Sequence, residues 1–479
     1  MAVMYVANLV AGLSPLPQLL QQPLLAVMPG PVFGFLIDNL KHAGKVLEEF
    51  GLLLTLILAL GGLGVAYGWG QRRWPRSHPA LIAAAAAWLV VDLVLLPISG
   101  DGFLGLSEGL QTPLLWALIL AVYSIVLEVA SKAATEPAAE LDRDRRRLVL
   151  GAPVAIAALS LGVLGFRLLP RWYQSVSAAP EAGLAGVSPA LTPLKNFYVV
   201  SKNFSDPVVS EQGWALKIRG LAGSPYQLTA AELRALPAVT QYVTLECISN
   251  VVGGGQISTG QFTGAPLREV LGRAAPAPAA AAVVFHSRDG YTESLPLAQV
   301  MESPEILVAH ALNGEPLTSQ HGFPARILIP GHYGMKGPKW LDSIELAAKE
   351  VNGYWENQGW DPRVVVKTMS RFDTPGAGDI LRVGPIQLAG IAFAGKRGVA
   401  GVEVSTDGGS SWSAAQLQPP LGPLTWTLWT YPWSPSREGS YTLRVRARDG
   451  TGQLQSGDEA SSYPSGSSGH HTIRVNVGR

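Results

Sequence analysis

The segment Tyr242-Val243-Thr244-Leu245-Glu246-Cys247-Ile248-Ser249-Asn250-Val251-Val252 runs directly into three glycines, Gly253, Gly254 and Gly255. The alternation from Gln241 to Leu245 predicts a strand that hands Cys247 to a glycine-rich turn, where backbone can approach a bulky ligand without side-chain obstruction. Cys247 is the one cysteine in 479 residues, which excludes an intramolecular disulfide, a multi-thiolate iron–sulfur cluster and a Cys-rich zinc site. A soft thiolate suits a redox-active transition metal, and one is enough where an organic cofactor supplies the other ligands. These residues also allow a small buried thiol filling core space, or a nucleophile served by a histidine base.

On either side of this segment the pattern is mixed. Strands are expected at Trp214 to Ile218, Gln241 to Leu245, Val283 to His286 and Arg326 to Ile329, and helices at Ala230 to Ala235 and Pro266 to Gly272. This mixture predicts an α+β domain over 194–371. From 372 to 479 short β-type runs dominate: Ile386 to Phe393, Gly401 to Ser405, Thr425 to Trp429, Tyr441 to Ala447 and His471 to Val477. Turn signals such as Asp407-Gly408-Gly409 separate them, and the spacing predicts an immunoglobulin-like β-sandwich. An Ala/Gly/Ser/Pro-rich linker is expected over 171–193.

The N-terminal part has a different character. With 48% hydrophobic residues and a net charge of +1, the chain has no footprint for nucleic acid, and its apolar excess is concentrated before residue 170. Four runs, about Phe50 to Trp69, Pro79 to Ile98, Pro113 to Ala130 and Leu148 to Leu169, reach the roughly 20 helical residues that cross a bilayer. An all-α transmembrane region is therefore expected over 50–170. Segment 1–49 is read as interfacial, and whether Leu24 to Ile37 makes a further crossing stays open. Arg72, Arg73 and Arg76 in the first loop, and Lys132, Arg143, Arg145, Arg146 and Arg147 in the third, place those loops in the cytoplasm. Everything after the fourth run then lies on the periplasmic side. Arg145-Arg146-Arg147 reads equally as an internal twin-arginine export signal or as a basic stop beside a helix. His42 and His78 sit at the margins of the spans, so no haem ligand pair is offered; Asp92 is the one acidic residue well inside an apolar run.

Four ordered motifs carry a resemblance. They are Asn196-Phe197-Tyr198 with Lys202-Asn203 beyond it, Thr244 to Gly254 around Cys247, His321-Gly322-Phe323-Pro324-Ala325-Arg326, and Pro330 to Trp340. Together they are similar to the sulfite oxidase family of molybdopterin-dependent oxidoreductases over roughly Asn196 to Arg371, and the C-terminal part resembles that family's dimerisation domain. The resemblance implies a molybdenum centre held by the dithiolene of one molybdopterin and by Cys247. It further implies that Tyr198, Val199, Ser287, His321, Arg326, Gly337, Pro338 and Lys339 hold the pterin and its phosphate, and that Tyr291 faces the metal's labile oxygen. A phosphate needs fixed cations and backbone donors, which this set contains. Read without the family, His321 caps a loop, Arg326 forms a structural ion pair, and Lys336 and Lys339 are solvated.

The chain also departs from the family. Sulfite oxidases place arginines after the cysteine motif to bind an oxyanion, and Val251 and Val252 occupy those places here; Lys202 stands where another substrate arginine is found. A dianion with few cationic partners is poorly held, so a neutral sulfoxide or another small oxygen-atom donor or acceptor becomes the competing substrate. The family's cytochrome domain has no counterpart in the sequence, which implies a separate electron carrier, a cytochrome or a quinol system, with a homodimer through the sandwich as the arrangement the resemblance suggests. Two other functions fit parts of the chain: an extracytoplasmic Cys-nucleophile hydrolase or transpeptidase, and a membrane-tethered adhesion protein.

Overall fold

The structure, a computed structural model, describes residues 186–478 apart from 204 and 205, residues 79–99, 103–105 and 111–135, and scattered positions before 79. The expected fourth span, Arg145-Arg146-Arg147, most of the linker and the Leu24 to Ile37 segment lie outside the described residues, and the first span is described only at scattered positions. The chain divides into two compact units, one dominated by His42–Ala178 and the other by Asp206–Arg479.

In the N-terminal unit, α1 (Pro79–Val90) continues through a π-helical turn, Val91–Leu95, into α2 (Leu96–Ser99), and α3 runs from Gln111 to Thr135. Val91, Leu96 and Trp116 form a small core with Met4, Leu13 and Leu19. Trp88 Nε1 donates to Pro113 O at 2.9 Å, tying α1 to the start of α3. Asp92 lies fully buried in the π-helical turn. Leu114, Leu118 and Ile125 on α3 stay 70%, 57% and 59% exposed. Among the described residues no helix is long and apolar enough to cross a membrane.

Among the described residues the C-terminal unit contains four sheets. In the first, β1 (Ala215–Gly220) lies between β2 (Tyr226–Thr229) and β10 (Leu341–Ala347), and β10 pairs in turn with β5 (Ala282–Ser287) and β5 with β6 (Thr292–Pro296). The second orders β3 (Val239–Glu246), β4 (Ile257–Pro266), β7 (Leu307–Leu312) and β8 (Glu315–Pro316), with β9 (Arg326–Leu328) also on β7. Three short helices, α4 (Ala230–Ala235), α5 (Leu267–Arg273) and α6 (Leu297–Glu302), fill the space around the first sheet. Alternation builds the packing: Leu216 and Ile218 of β1, Val283 and Phe285 of β5 and Ile344 and Leu346 of β10 point into one core with Leu267, Val270 and Leu271 of α5. A capping box starts α4, with Glu232 N donating to Thr229 Oγ1 and Thr229 N to Glu232 Oε2.

The remaining two sheets face each other. One orders β11 (Met369–Thr374), β13 (Ile386–Phe393), β17 (Thr427–Trp433) and β16 (Gln416–Leu417). The other orders β12 (Ile380–Arg382), β19 (His471–Gly478), β18 (Gly439–Asp449), β14 (Val399–Ser405) and β15 (Ser413–Ala414). Leu388, Trp429 and Trp433 from the first meet Val402, Val404, Leu443, Val445 and Val475 from the second, so these Trp residues are sandwich core.

Candidate active site

Strand β3 pairs with β4 along its whole length, Val239 opposite Gly264 through Glu246 opposite Ile257. Cys247 is the first residue past this ladder, and its N–H donates to Gln256 O at 2.9 Å, closing a loop of residues 247–256 over the sheet end. Gly253 makes the return: it holds φ +77°, and a Cβ there would come within 2.4 Å of the His471 ring. Cys247 is buried, and its sulfur lies 3.0 Å from Ser249 Oγ. Burial pushes the Cys247 thiol above its ordinary value, while the hydrogen bond with Ser249 pulls the other way.

The loop is fixed from within and from the sandwich. Asn250 Nδ2 donates to Glu246 Oε1 at 2.9 Å and Asn250 Oδ1 accepts from Gln256 N at 3.0 Å. Ser467 Oγ donates to Asn250 O at 2.7 Å, and Arg371 Nη1 donates to Gly254 O while its Nε holds Asp373 at 2.8 Å. Sequence reasoning missed this second set: Ser467 and Arg371 lie 217 and 117 residues from the loop positions they hold, and only the fold brings them and His471 there. Glu246 was quoted beside Cys247 without a role; it is buried, and desolvation lifts its carboxyl to about 7.

Three groups of the expected residues come together. Tyr198 is in electrostatic reach of Cys247, Arg326 and Glu246, and burial drives its phenol far above the ordinary range. Its hydroxyl sits where any side chain at Gly334 would intrude, at 2.7 Å from that position's Cβ. Phe197 stacks on Tyr198 at 5.9 Å and meets the His321 ring edge-on at 5.5 Å. Val199 follows, half-buried.

Around His321, Nδ1 is 2.6 Å from Thr318 Oγ1, and Arg326 Nη1 and Nη2 donate to His321 O at 3.5 Å and Gly337 O at 3.3 Å. Burial, then the Arg326 and Lys339 charges, lower His321 to about 4, so the ring is neutral at physiological pH. Pro338 O accepts from Ile327 N at 2.9 Å, and Lys339 Nζ donates to Gln320 O at 3.0 Å, packed 4.3 Å over Trp340.

The third group is Lys202, 3.9 Å from Asp289 Oδ2 and 5.0 Å over the Tyr354 ring, with Tyr291 beside it. Tyr291 N donates to Asp289 Oδ1 at 3.1 Å, its ring lies 5.7 Å from Tyr354, and its hydroxyl donates to Met335 O at 2.6 Å. Directly after Met335, Lys336 Nζ is 2.5 Å from Glu293 Oε1 and 2.7 Å from Glu356 Oε1, all three side chains at most 5% exposed. The turn Gly334–Lys336 thus touches both the Tyr198 and the Tyr291 groups. The charges acting on Tyr291 are Glu293, Asp289 and Glu356, and the structure places its hydroxyl on Met335 rather than on the cysteine loop.

Several polar atoms here are buried with no hydrogen-bond partner among the described residues: Ser287 Oγ, His321 Nε2 and Arg326 Nε. Such atoms are costly unless a ligand satisfies them, and all three belong to residues the family resemblance assigns to the pterin. A guanidinium, an imidazole, a lysine and a hydroxyl grouped this way suit a phosphorylated pterin, and the buried thiol suits its metal.

Comparison with known proteins agrees. Residues 203–355 match the model of the oxidoreductase molybdopterin binding domain. Mitochondrial sulfite oxidase of Homo sapiens is 31% identical over 252 residues, covering 43% of this chain and 46% of that protein. Residues 203–355 are thus an oxidoreductase molybdopterin binding domain, similar to that of the sulfite oxidases. Sulfite oxidase of Arabidopsis thaliana is 29% identical over 285 residues, covering 49% of this chain and 72% of that one. The sulfane dehydrogenase SoxCD from Paracoccus pantotrophus shares the fold at a TM-score of 0.51 and 22% identity, over 58% of this chain and 79% of its own. The chain spans about half the length of the mammalian sulfite oxidases it matches. The matched domain is a molybdopterin-binding oxidoreductase domain, and the cofactor it implies is Mo-molybdopterin.

Proposed function

We propose that this protein is a membrane-anchored, extracytoplasmic molybdenum oxidoreductase that transfers an oxygen atom to or from a small molecule, with the Cys247 thiolate as a metal ligand. The observation that carries the proposal is the position of Cys247: a buried thiol at the mouth of a doubly braced loop, in electrostatic reach of Tyr333 and of Tyr198, which is itself in electrostatic reach of Arg326 with its orphaned Nε. When bound, the molybdenum centre supplies two-electron oxygen-atom chemistry. The chain's own groups supply the setting. Arg326 and Lys339 counter phosphate charge, neutral His321 offers Nε2, and Lys202 with Asp289 and Tyr354 fixes the Tyr291 ring.

A neutral oxygen-atom donor such as a sulfoxide fits better than sulfite. Val251 and Val252 form one side of a cleft of about 420 Å³, whose other lining residues include Ser461, Ser462, Ser467, Ser468 and His470. No Lys or Arg lines it, so a dianion beside Val251 and Val252 would lack a fixed cationic partner. In the Cys-nucleophile reading the sulfur would face a base, whereas its described hydrogen-bond partner is the Ser249 hydroxyl.

Membrane attachment rests on the four apolar runs, the arginine-rich loops and the exposed leucines of α3. With it go an extracytoplasmic catalytic domain, twin-arginine export, a cytochrome or quinol electron carrier, and an immunoglobulin-like sandwich that pairs two copies. The test is turnover by full-length detergent-extracted protein. Reduction of a dialkyl sulfoxide with an artificial donor, abolished in Cys247→Ser, is expected; metal-loaded protein active only on sulfite would overturn the substrate reading.

A further inference from the structure

Ser249 touches the sulfur of Cys247 and also belongs to a hydrogen-bond chain that leads away from it. Its Oγ is 3.0 Å from Cys247 Sγ and 3.0 Å from Gln256 Oε1. Gln256 N is in turn held by Asn250 Oδ1 at 3.0 Å, and Asn250 Nδ2 by buried Glu246 at 2.9 Å. The 247–256 loop therefore fixes a hydroxyl against the sulfur from both of its ends. A serine hydroxyl has a single proton to donate and two lone pairs to accept with. While the sulfur carries its own proton, Cys247 donates to Ser249 Oγ and Ser249 donates to Gln256 Oε1. A metal-bound thiolate has no proton, so the same geometry would set two electron-rich atoms 3.0 Å apart unless the hydroxyl turned.

We propose that Ser249 is a positioning residue for the metal centre: on metal binding its hydroxyl swings away from Gln256 Oε1 and donates to the Cys247 thiolate instead. The proposal rests on Cys247 being a ligand. A donor on a ligand sulfur draws charge from it, weakens its donation to the metal and makes the centre easier to reduce. The backbone N–H groups of Ser249 and Ile248 also reach this sulfur, and among the described side chains Ser249 Oγ alone hydrogen-bonds it, so substitution at 249 removes that one donor and keeps the others.

The test is a redox titration of full-length, metal-loaded protein, followed by electron paramagnetic resonance. Ser249→Ala is expected to lower the potential, cutting the reduced-to-oxidised ratio at the wild-type midpoint roughly tenfold, about 59 mV for a one-electron couple. Ser249→Thr should restore it. Gln256→Met removes the competing acceptor and keeps the hydroxyl, so its potential should equal or exceed the wild-type value. An unchanged potential in metal-loaded Ser249→Ala, or a fall in Gln256→Met matching that of Ser249→Ala, overturns the proposal. If Ser249→Ala retains no metal, Gln256→Met decides alone: a fall overturns the proposal, an equal or higher potential supports it. Wild-type protein without molybdenum defeats the cofactor reading itself, whereas metal-loaded protein indifferent to position 249 defeats only the hydrogen bond.

Discussion

Removing the cation from the buried cluster of Lys336, Glu293 and Glu356 should destabilise the protein strongly, and more so as pH rises. Lys336 Nζ lies 2.5 and 2.7 Å from the two carboxylates, with side-chain exposures of 4%, 0% and 5%. Breaking such a buried pair costs about 3–5 kcal/mol, because the charge left behind has no partner. The cluster already holds one negative charge too many. Burial, together with the Glu356 charge, lifts Glu293 from 4.5 to about 7 against the pull of Lys336. A carboxyl raised in the folded state favours folding while protonated, so its contribution is lost as pH climbs from the unfolded value through about 7. The displacement corresponds to about 3 kcal/mol in wild-type protein. Lys336, itself raised by Glu293 and Glu356, has its contribution fully present below 10.5 and loses it as pH rises through its higher folded value. In Lys336→Met both carboxylates lose their cation, so the folded value of Glu293 rises further and the penalty grows between about pH 6 and pH 8. Urea unfolding of the full chain, followed by tryptophan fluorescence at both pH values, reads this directly. A variant within about 1 kcal/mol of wild type near pH 8, or a penalty that fails to shrink near pH 6, would refute the reasoning.

Arg326→Gln should fold yet retain pterin roughly tenfold or more weakly, matching the 1.5–3 kcal/mol of a hydrogen bond to a charged group, as read by pterin content after dialysis. Gly253→Ala meets both a φ of +77° and the His471 ring at 2.4 Å. It should cost about 1–3 kcal/mol in thermal unfolding and lower metal content as well. Thr229→Ala removes the N-cap of α4. It should cost about 1 kcal/mol and leave cofactor content unchanged, since the hydrogen bonds lost stay within the first turn of α4.

Period-two alternation located the strands because each has one face in a core. Ile386–Phe393, the strand ending at Glu246 and the helix Ala230–Ala235 appear where expected. Boundaries moved where tertiary pairing extends a strand beyond its apolar pattern. The run expected from Tyr441 to Ala447 spans Gly439–Asp449, because Ser440 and Gly439 pair with Asn476 and Val477. In the site, the meeting of His321 with Arg326 was legible because the two lie five residues apart in one motif. The buried charges were not: Lys336 read as solvated without the family, and Glu293 and Glu356 gave no sign of meeting it from 43 and 20 residues away. The same holds for Tyr291, whose bond to Met335 O spans 44 residues and depends on the turn that also contacts Tyr198.

The central claim is that the Cys247 sulfur is bonded to the metal. X-ray absorption at the molybdenum edge counts sulfur neighbours directly, on wild-type protein and on a Cys247→Ser variant loaded with the same cofactor. The account predicts one fewer sulfur in the variant's coordination shell, with the pterin sulfurs still present. An identical sulfur count in the two proteins would contradict it.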